Sequence, residues 1–289
     1  MNVGIVGLGL IGGSIGRAAV KRTEHTVYAT DLDENALQKG ELLNAFHERL
    51  TPDNVNKIDL LLLCVYPDGV ESVLDTYVPL LRAGAVVMDC VGVKRSVVDA
   101  MERYEKKYPS IAFLGGHPMA GREFSGVEHA VSNLYEKSTC LIVPVHTPID
   151  ALVKVKEFFI SLGADGLVVT TAEEHDRIIA YTSQLAHVVS AAYVTSPTAR
   201  EHHGFSAGSF RDMTRVARLN PEMWTELMLQ NADFLSEEVF SLAARLNEFG
   251  AAIRSGDHDR LKSLLAESNE VKLDLEKNRV QKRNDAIKR

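Results

Sequence analysis

Val3-Gly4-Ile5-Val6-Gly7-Leu8-Gly9-Leu10-Ile11-Gly12 decides the fold. Val3 to Val6 is a short apolar run, and Ile11 to Val20 carries a helical apolar pattern. A strand, a glycine-spaced turn and a helix, in that order, form the setting in which G-x-G-x-x-G takes a dinucleotide pyrophosphate. Gly7 permits the tight turn, Gly9 leaves the backbone bare where phosphate approaches, and Gly12 lets the helix lie close to the strand. The backbone from Leu8 through Leu10 and Ile11 then turns the N–H groups and positive end of the helix toward the phosphate charge. Asp31 follows the second strand candidate, Thr26 to Thr30. It stands at the spacing where a carboxylate accepts from the adenosine ribose hydroxyls. A carboxylate there repels a 2′-phosphate, and no Arg lies in Leu32 to Ala36 to attract one. The expected cofactor is therefore NAD rather than NADP.

Outward from this unit the chain alternates strands and helices. Leu60 to Val65, Ala85 to Met88, Ile111 to Leu114, Cys140 to Val143 and Leu167 to Thr170 are strand candidates. Helical patterns fall at Val70 to Leu81, Lys94 to Tyr104 and Pro148 to Leu162. Continuous apolar strands between helices predict an α/β fold, a mostly parallel sheet of Rossmann type covered on both faces. Val65, Tyr66 and Pro67 follow the third strand candidate, where the loop faces the ligand crevice; lining the cofactor and ordinary turn duty suit them equally. The alternation stops near Thr170. Helices are expected at Glu173 to Thr195, Phe210 to Leu219, Pro221 to Gly250 and Asp257 to Lys277, and the polar tail from Lys277 to Arg289 is expected to fray. The predicted organisation is a cofactor domain over residues 1–170 and an all-helical domain over 171–289. The long apolar helices of the second carry more surface than one copy covers, so a homodimer through that domain is expected.

Composition narrows the function classes. The 289 residues are 45% hydrophobic and 25% charged, with a formal net charge of −7, the balance of a globular protein that needs no staple. An acidic chain is a poor non-specific ligand for nucleic acid. No apolar run approaches a membrane span. Three widely spaced cysteines, Cys64, Cys90 and Cys140, form neither a disulfide framework nor a zinc pattern, so no metal is expected. The opening Met1 to Gly7 lacks a signal peptide's basic start, and a cytoplasmic setting is expected.

Gly115-Gly116-His117-Pro118-Met119-Ala120-Gly121 follows the strand candidate Ile111 to Leu114. A histidine on a glycine-flanked loop at the crevice side is an acid/base candidate. In the helical part, Asp176, Ser183 and His187 share roughly one helix face by their spacing, and either Arg211 or Arg215 can clamp a carboxylate bidentately.

With these stretches side by side, the chain resembles the prephenate dehydrogenase family, which includes arogenate dehydrogenases. The resemblance is carried by Gly7 to Ser14, Gly115 to Gly121 with Glu123, Glu174-His175-Asp176-Arg177, Gln184-Leu185-Ala186-His187, and Phe210 to Ala217 leading to Met223-Trp224. It implies NAD-dependent oxidative decarboxylation of prephenate to 4-hydroxyphenylpyruvate in tyrosine biosynthesis, or of arogenate to tyrosine. It implies that His117 bonds the ring hydroxyl of the substrate and that Arg215 binds a substrate carboxylate. His187 and Trp224 match residues of the pocket wall and edge; Glu123 and Asp176 match acidic residues that gate the pocket and hold the domains together. Two positions depart from the pattern. Gly92, in Val91-Gly92-Val93-Lys94, replaces a serine that contacts substrate and the catalytic histidine, and Gln184 stands where many members carry histidine. The chain ends without a further αβ pattern, so the regulatory ACT domain of some members is expected to be absent. Two rivals are a β-hydroxyacid dehydrogenase and a non-catalytic NAD sensor. The first uses a lysine on the helical domain, yet there is no Lys between Lys156 and Lys262; the second needs neither His117 nor Arg215.

Overall fold

The computed structural model describes the backbone of residues 1–287 and the side chains of residues 1–277. The tail expected to fray from Lys277 instead continues as helix to Ile287; residues 288 and 289 lie outside the described residues. Eight strands form one sheet: β1 (Asn2–Val6), β2 (Thr26–Thr30), β3 (Glu48–Arg49), β4 (Leu60–Leu63), β5 (Val86–Asp89), β6 (Ala112–Pro118), β7 (Thr139–Val145) and β8 (Gly166–Val169). Their order is β3-β2-β1-β4-β5-β6-β7-β8. Every pair is parallel except β6 with β7.

Helices α1 (Leu10–Arg22), α2 (Glu34–Leu42), α3 (Val70–Tyr77), α4 (Arg95–Lys107) and α5 (Ile149–Ser161) accompany the strands. The all-leucine β4 shows why its sequence does not alternate. Leu60 and Leu62 pack with Ile15, Phe158 and Phe159 on one face; Leu61 and Leu63 pack with Leu74, Val97 and Met101 on the other. Both faces are dry, so every residue is apolar. The chain leaves β1 toward β2 and β3 and later resumes at β4 on the other side. A crevice opens at such a reversal, beyond the carboxyl ends of the strands.

One strand is additional to those expected, and one expectation is corrected. The two-residue β3 is exposed at the sheet edge and is too short to show an apolar pattern. His117 lies within β6 rather than on a loop after it, because antiparallel pairing of Gly116 with Ile142 and His117 with Leu141 carries the strand to Pro118.

Beyond Thr171 the described residues contain helices and turns and no strand. The segment expected as one helix is α6 (Ala172–Ile179), a π-turn over 180–184, and α7 (Leu185–Val194). The next are α8 (Gly208–Thr214), α9 (Pro221–Leu229), α10 (Ala232–Ser255) and α11 (His258–Ile287). The helix expected over Pro221 to Gly250 is therefore interrupted, at Gln230-Asn231. Asn231 is fully buried there and donates to the Asp176 carbonyl and to Gln184 Oε1, both at 2.8 Å. Met1–Leu235 forms one compact unit and Ser236–Arg289 a second. Within the second, Arg245 meets Glu267 and Arg260 meets Glu248, while Phe240, Leu246, Ile253 and Leu265 are exposed. Among the described residues, no helix is long and apolar enough to cross a membrane.

Candidate active site

A cleft of about 780 Å³ opens at the carboxyl ends of β1, β4, β5 and β6, with α7, α9 and the segment after α8 as its other wall. Gly9, Leu10, Ile11, Val65, Tyr66 and Pro67 line it, as do Gly92, His117, Glu123, Gln184, His187, Arg215 and Trp224. Sequence-distant candidates thus share one cavity. Gly7, Leu8, Gly12, Asp31 and Asp176 lie outside that lining.

The glycine turn fits a pyrophosphate. Gly7 has φ +97°, and a Cβ there would sit 2.4 Å from the Cys64 carbonyl oxygen. A Cβ on Gly12 would meet the Gly7 carbonyl at 2.0 Å, so helix and turn touch only because both residues are bare. A Cβ on Gly9 would meet nothing within 4 Å, which leaves the space open to a ligand. Helix α1 has no side-chain cap and no acid in its first turn, so its N–H groups and positive end are available to an anion. Leu8 is fully buried and contributes backbone only: its N–H donates to Asp31 Oδ2 at 2.6 Å. Asp31 Oδ1 accepts from the Asp33 N–H at 2.8 Å. Each oxygen retains acceptor capacity for a hydroxyl.

His117 is held by a chain of three side chains. Its Nδ1 is 2.9 Å from His175 Nε2, and His175 Nδ1 is 2.7 Å from Asp176 Oδ1. Burial pushes the Asp176 carboxyl up, but the His175 ring and the backbone N–H groups of Arg95 and Lys94 outweigh it and leave it below the usual range. Burial holds His175 below the ordinary imidazole value against the pull of Asp176. Burial also drives His117 well below it, with His175 and Lys94 adding to the shift. The protons can then be placed. An ionised Asp176 only accepts, so neutral His175 carries its proton on Nδ1 and accepts on Nε2. His117 must donate from Nδ1, which leaves Nε2 with a lone pair.

A buried ion pair sets the backbone around this chain. Lys94 and Asp89 are both fully buried and paired; Lys94 Nζ also donates to the Val93 carbonyl at 2.8 Å. Asp89 Oδ1 accepts from the N–H of Gly116 at 3.0 Å and Oδ2 from that of Val91 at 2.9 Å. One carboxylate thus fixes the residues before His117 and before Gly92. The sequence alone assigns no function to Asp89, Lys94 or His175, although His175 and Lys94 stand inside the quoted stretches. A charged residue closing an apolar strand, as Asp89 does, was the available signal.

Asp176, expected among the acids at the pocket, stands behind the cleft as a support and not in its lining. It is fully buried, accepting from Lys94 N–H at 2.7 Å and Arg95 N–H at 2.9 Å. Its expected shared face with Ser183 and His187 fails because the π-turn inserts a residue and shifts the phase; Ser183 and His187 line the cleft and Asp176 does not. Gln184 lines the cleft, but its Nε2 donates to the Leu227 carbonyl at 2.9 Å and its Oε1 receives Asn231, so it braces the wall. A Cβ on Gly92 would approach Leu227 Cδ2 to 3.2 Å; a serine there requires Leu227 to give way.

His187 donates from Nδ1 to the Val216 carbonyl at 3.0 Å, and its ring lies 4.0 Å from that of Trp224. Burial lowers its pKa against that carbonyl, and Arg215 lowers it further. Arg215 is ion-paired with Glu123 at the cleft mouth, and Arg211 is absent from the lining.

The sheet order, the glycine turn and this cleft define a nicotinamide-dependent dehydrogenase of the Rossmann class. Family models agree in detail. Residues 15–168 match the prephenate dehydrogenase nucleotide-binding domain, and residues 171–267 match the prephenate dehydrogenase dimerization domain. The chain belongs to the prephenate dehydrogenase family. It is 31% identical to the cyclohexadienyl dehydrogenase of Zymomonas mobilis, over 95% of this chain and 96% of that one. It is 27% identical to the prephenate dehydrogenase of Lactococcus lactis, over 94% of this chain and 77% of the relative. The crystal structure of prephenate dehydrogenase from A. aeolicus, in complex with hydroxyphenyl propionate and NAD+, aligns with a TM-score of 0.82 at 26% identity, covering 95% of this chain and 98% of that one.

Proposed function

We propose that this enzyme is an NAD-dependent prephenate dehydrogenase that converts prephenate to 4-hydroxyphenylpyruvate in tyrosine biosynthesis. The observation that carries the reading is a single cleft holding an uncapped glycine turn, a neutral imidazole and a guanidinium. NAD, when bound, supplies the hydride acceptor at nicotinamide C4. His117 Nε2 accepts the proton of the ring hydroxyl as the carbinol hydrogen departs as hydride. Loss of carbon dioxide then aromatises the ring. The helical wall orients the substrate: Arg215 takes a carboxylate, while His187 and Trp224 pack against the ring end. Much of the acceleration comes from alignment of two ligands in one cleft. Arogenate, which carries an amino group in place of the keto group, is the second reading, favoured by the relative named cyclohexadienyl dehydrogenase. NADH formation with each compound as sole substrate decides between them; no NADH with either defeats both.

Arg215→Ala should weaken substrate binding by roughly 2–5 kcal/mol if the carboxylate is desolvated, read as a raised KM; an unaltered KM refutes the clamp. Asp31→Asn keeps one accepting oxygen and removes the charge. Its ratio of NAD to NADP efficiency should fall by about tenfold, equivalent to 1.4 kcal/mol, and an unchanged ratio removes Asp31 from cofactor choice. Because His117 is held well below 6.5, kcat/KM should stay flat through that pH and fall only in more acidic solution. His175→Asn, which removes one cause of the depression, should move that acidic limb upward; a limb that stays put removes His175 from the proton chain.

Exposed apolar side chains on α10 and α11, together with the match to a dimerization domain, support a homodimer. Sedimentation of the intact chain tests it. Three free cysteines suit a reducing cytoplasm.

A further inference from the structure

The mechanism uses none of the three cysteines. Leu63 of β4 pairs with Asp89 of β5, and the Cys90 N–H donates to the Leu63 carbonyl at 2.8 Å. Cys64 and Cys90 therefore leave adjacent parallel strands side by side. Leu60, Leu62 and Cys64 of one strand line and Val86, Met88 and Cys90 of the other all pack into the same cluster, so both thiols lie on one face of the sheet. Neighbouring strands lie about 4.8 Å apart, inside the roughly 4.4–6.8 Å Cα separation that a disulfide spans. Both residues line the cleft. Cys64 is the more exposed; Cys90 is nearly buried, and the Cys64 thiol and burial together push its own thiol up. Cys140 lies outside the lining, its thiol pushed up to about 12 by burial.

We propose that Cys64 and Cys90 form a dithiol modification site in the cofactor end of the cleft, oxidised by a hydroperoxide to a disulfide that weakens dinucleotide binding. The Cys64 sulfur attacks the peroxide, the O–O bond breaks, and a sulfenic acid forms with release of an alcohol or water. The Cys90 sulfur then attacks the sulfenic sulfur, forming the S–S bond and expelling water. Two electrons from the thiol pair reduce one peroxide, and both thiol protons end in the released alcohol and water. The effect on the cofactor comes through contact. The Cys64 carbonyl oxygen lies 2.4 Å from the Cβ position of Gly7, and Cys64 Cβ lies 3.0 Å from that of Gly12. Parallel side chains on neighbouring strands keep their Cβ atoms about 4.8 Å apart, beyond the roughly 3.5–4.5 Å that a disulfide needs, so closing the bond draws Cys64 toward Cys90 and displaces the floor under the glycine turn. That consequence rests on the NAD reading above; the disulfide itself does not.

The test exposes the purified enzyme to hydrogen peroxide, maps disulfides by peptide mass, and measures NAD affinity by calorimetry before and after, then again after dithiothreitol. A Cys64–Cys90 peptide should appear, with NAD affinity down about tenfold and restored by the reductant. Cys90→Ala should form no disulfide, and its oxidation should stop at a Cys64 sulfenic acid that a dimedone probe traps. Intact thiols after treatment, a bridge through Cys140, or unchanged NAD affinity in the bridged protein each overturn the proposal. If the untreated enzyme binds no NAD, the cofactor reading fails, and the peptide map reports separately on the bridge.

Discussion

His117→Asn should lower kcat by about 10²–10⁴-fold with KM little changed, the range for loss of a positioned general base. The asparagine keeps a hydrogen-bonding group of similar reach but has no lone pair with imidazole basicity at that place. The His175–Asp176 chain makes the expectation sharper: with His117 Nδ1 engaged at 2.9 Å, only Nε2 is left to take a proton. Steady-state rates at saturating NAD measure it. Wild-type turnover would exclude the histidine from chemistry, whereas a raised KM with kcat intact would reassign it to binding.

The second large effect is on stability. Lys94→Met should cost about 3–5 kcal/mol, because it leaves Asp89 charged and unpaired in a dry site. The loss should appear as a fall in melting temperature on the order of 10 °C. Asp89→Asn in the same chain should recover part of it by removing the orphaned charge. Activity should fall along with stability, since Asp89 also holds the Gly116 and Val91 N–H groups and through them the backbone on either side of the reacting site. A Lys94→Met protein that melts like the parent would show that the pair is not needed for the fold.

Periodicity reveals elements whose burial is uniform. β1, β4 and β5 are dry on both faces, and their apolar runs state this directly. The glycine turn was legible for a steric reason, since no other residue fits the contacts at Gly7 and Gly12. What stayed hidden depended on contacts between distant parts of the chain. The length of β6 is set by its antiparallel partner β7, and a two-residue edge strand carries no pattern. The end of α9 is set by the buried bonds of Asn231, not by its own propensity. Within the site, the resemblance pointed to His117, His187 and Arg215, which the structure gathers in one cleft. It did not separate the lining residues from Asp176, which stands behind them. The role of His175 is not legible in sequence, because a histidine beside an aspartate on a helix says nothing of which ring it will reach. Helical spacing also misled between Asp176 and His187, since the π-turn breaks the period that spacing assumes.

Arg95 has a mechanical consequence. Its guanidinium reaches Asp176, Asn231 and Asp233 and lies 4.5 Å from the centre of the Phe234 ring. This one side chain on α4 rivets the sheet to the start of α10, while Asp176 rivets α6 to the turn before α4. A hinge that swung the helical wall outward would have to shear these joints together. The cleft bank without such joints is the stretch around residues 119–126, mostly solvent-exposed and bridged to the opposite bank by the Glu123–Arg215 pair. Added salt screens exposed charges, so it acts on the Glu123–Arg215 pair at that doorway and leaves the buried joints of the walls standing.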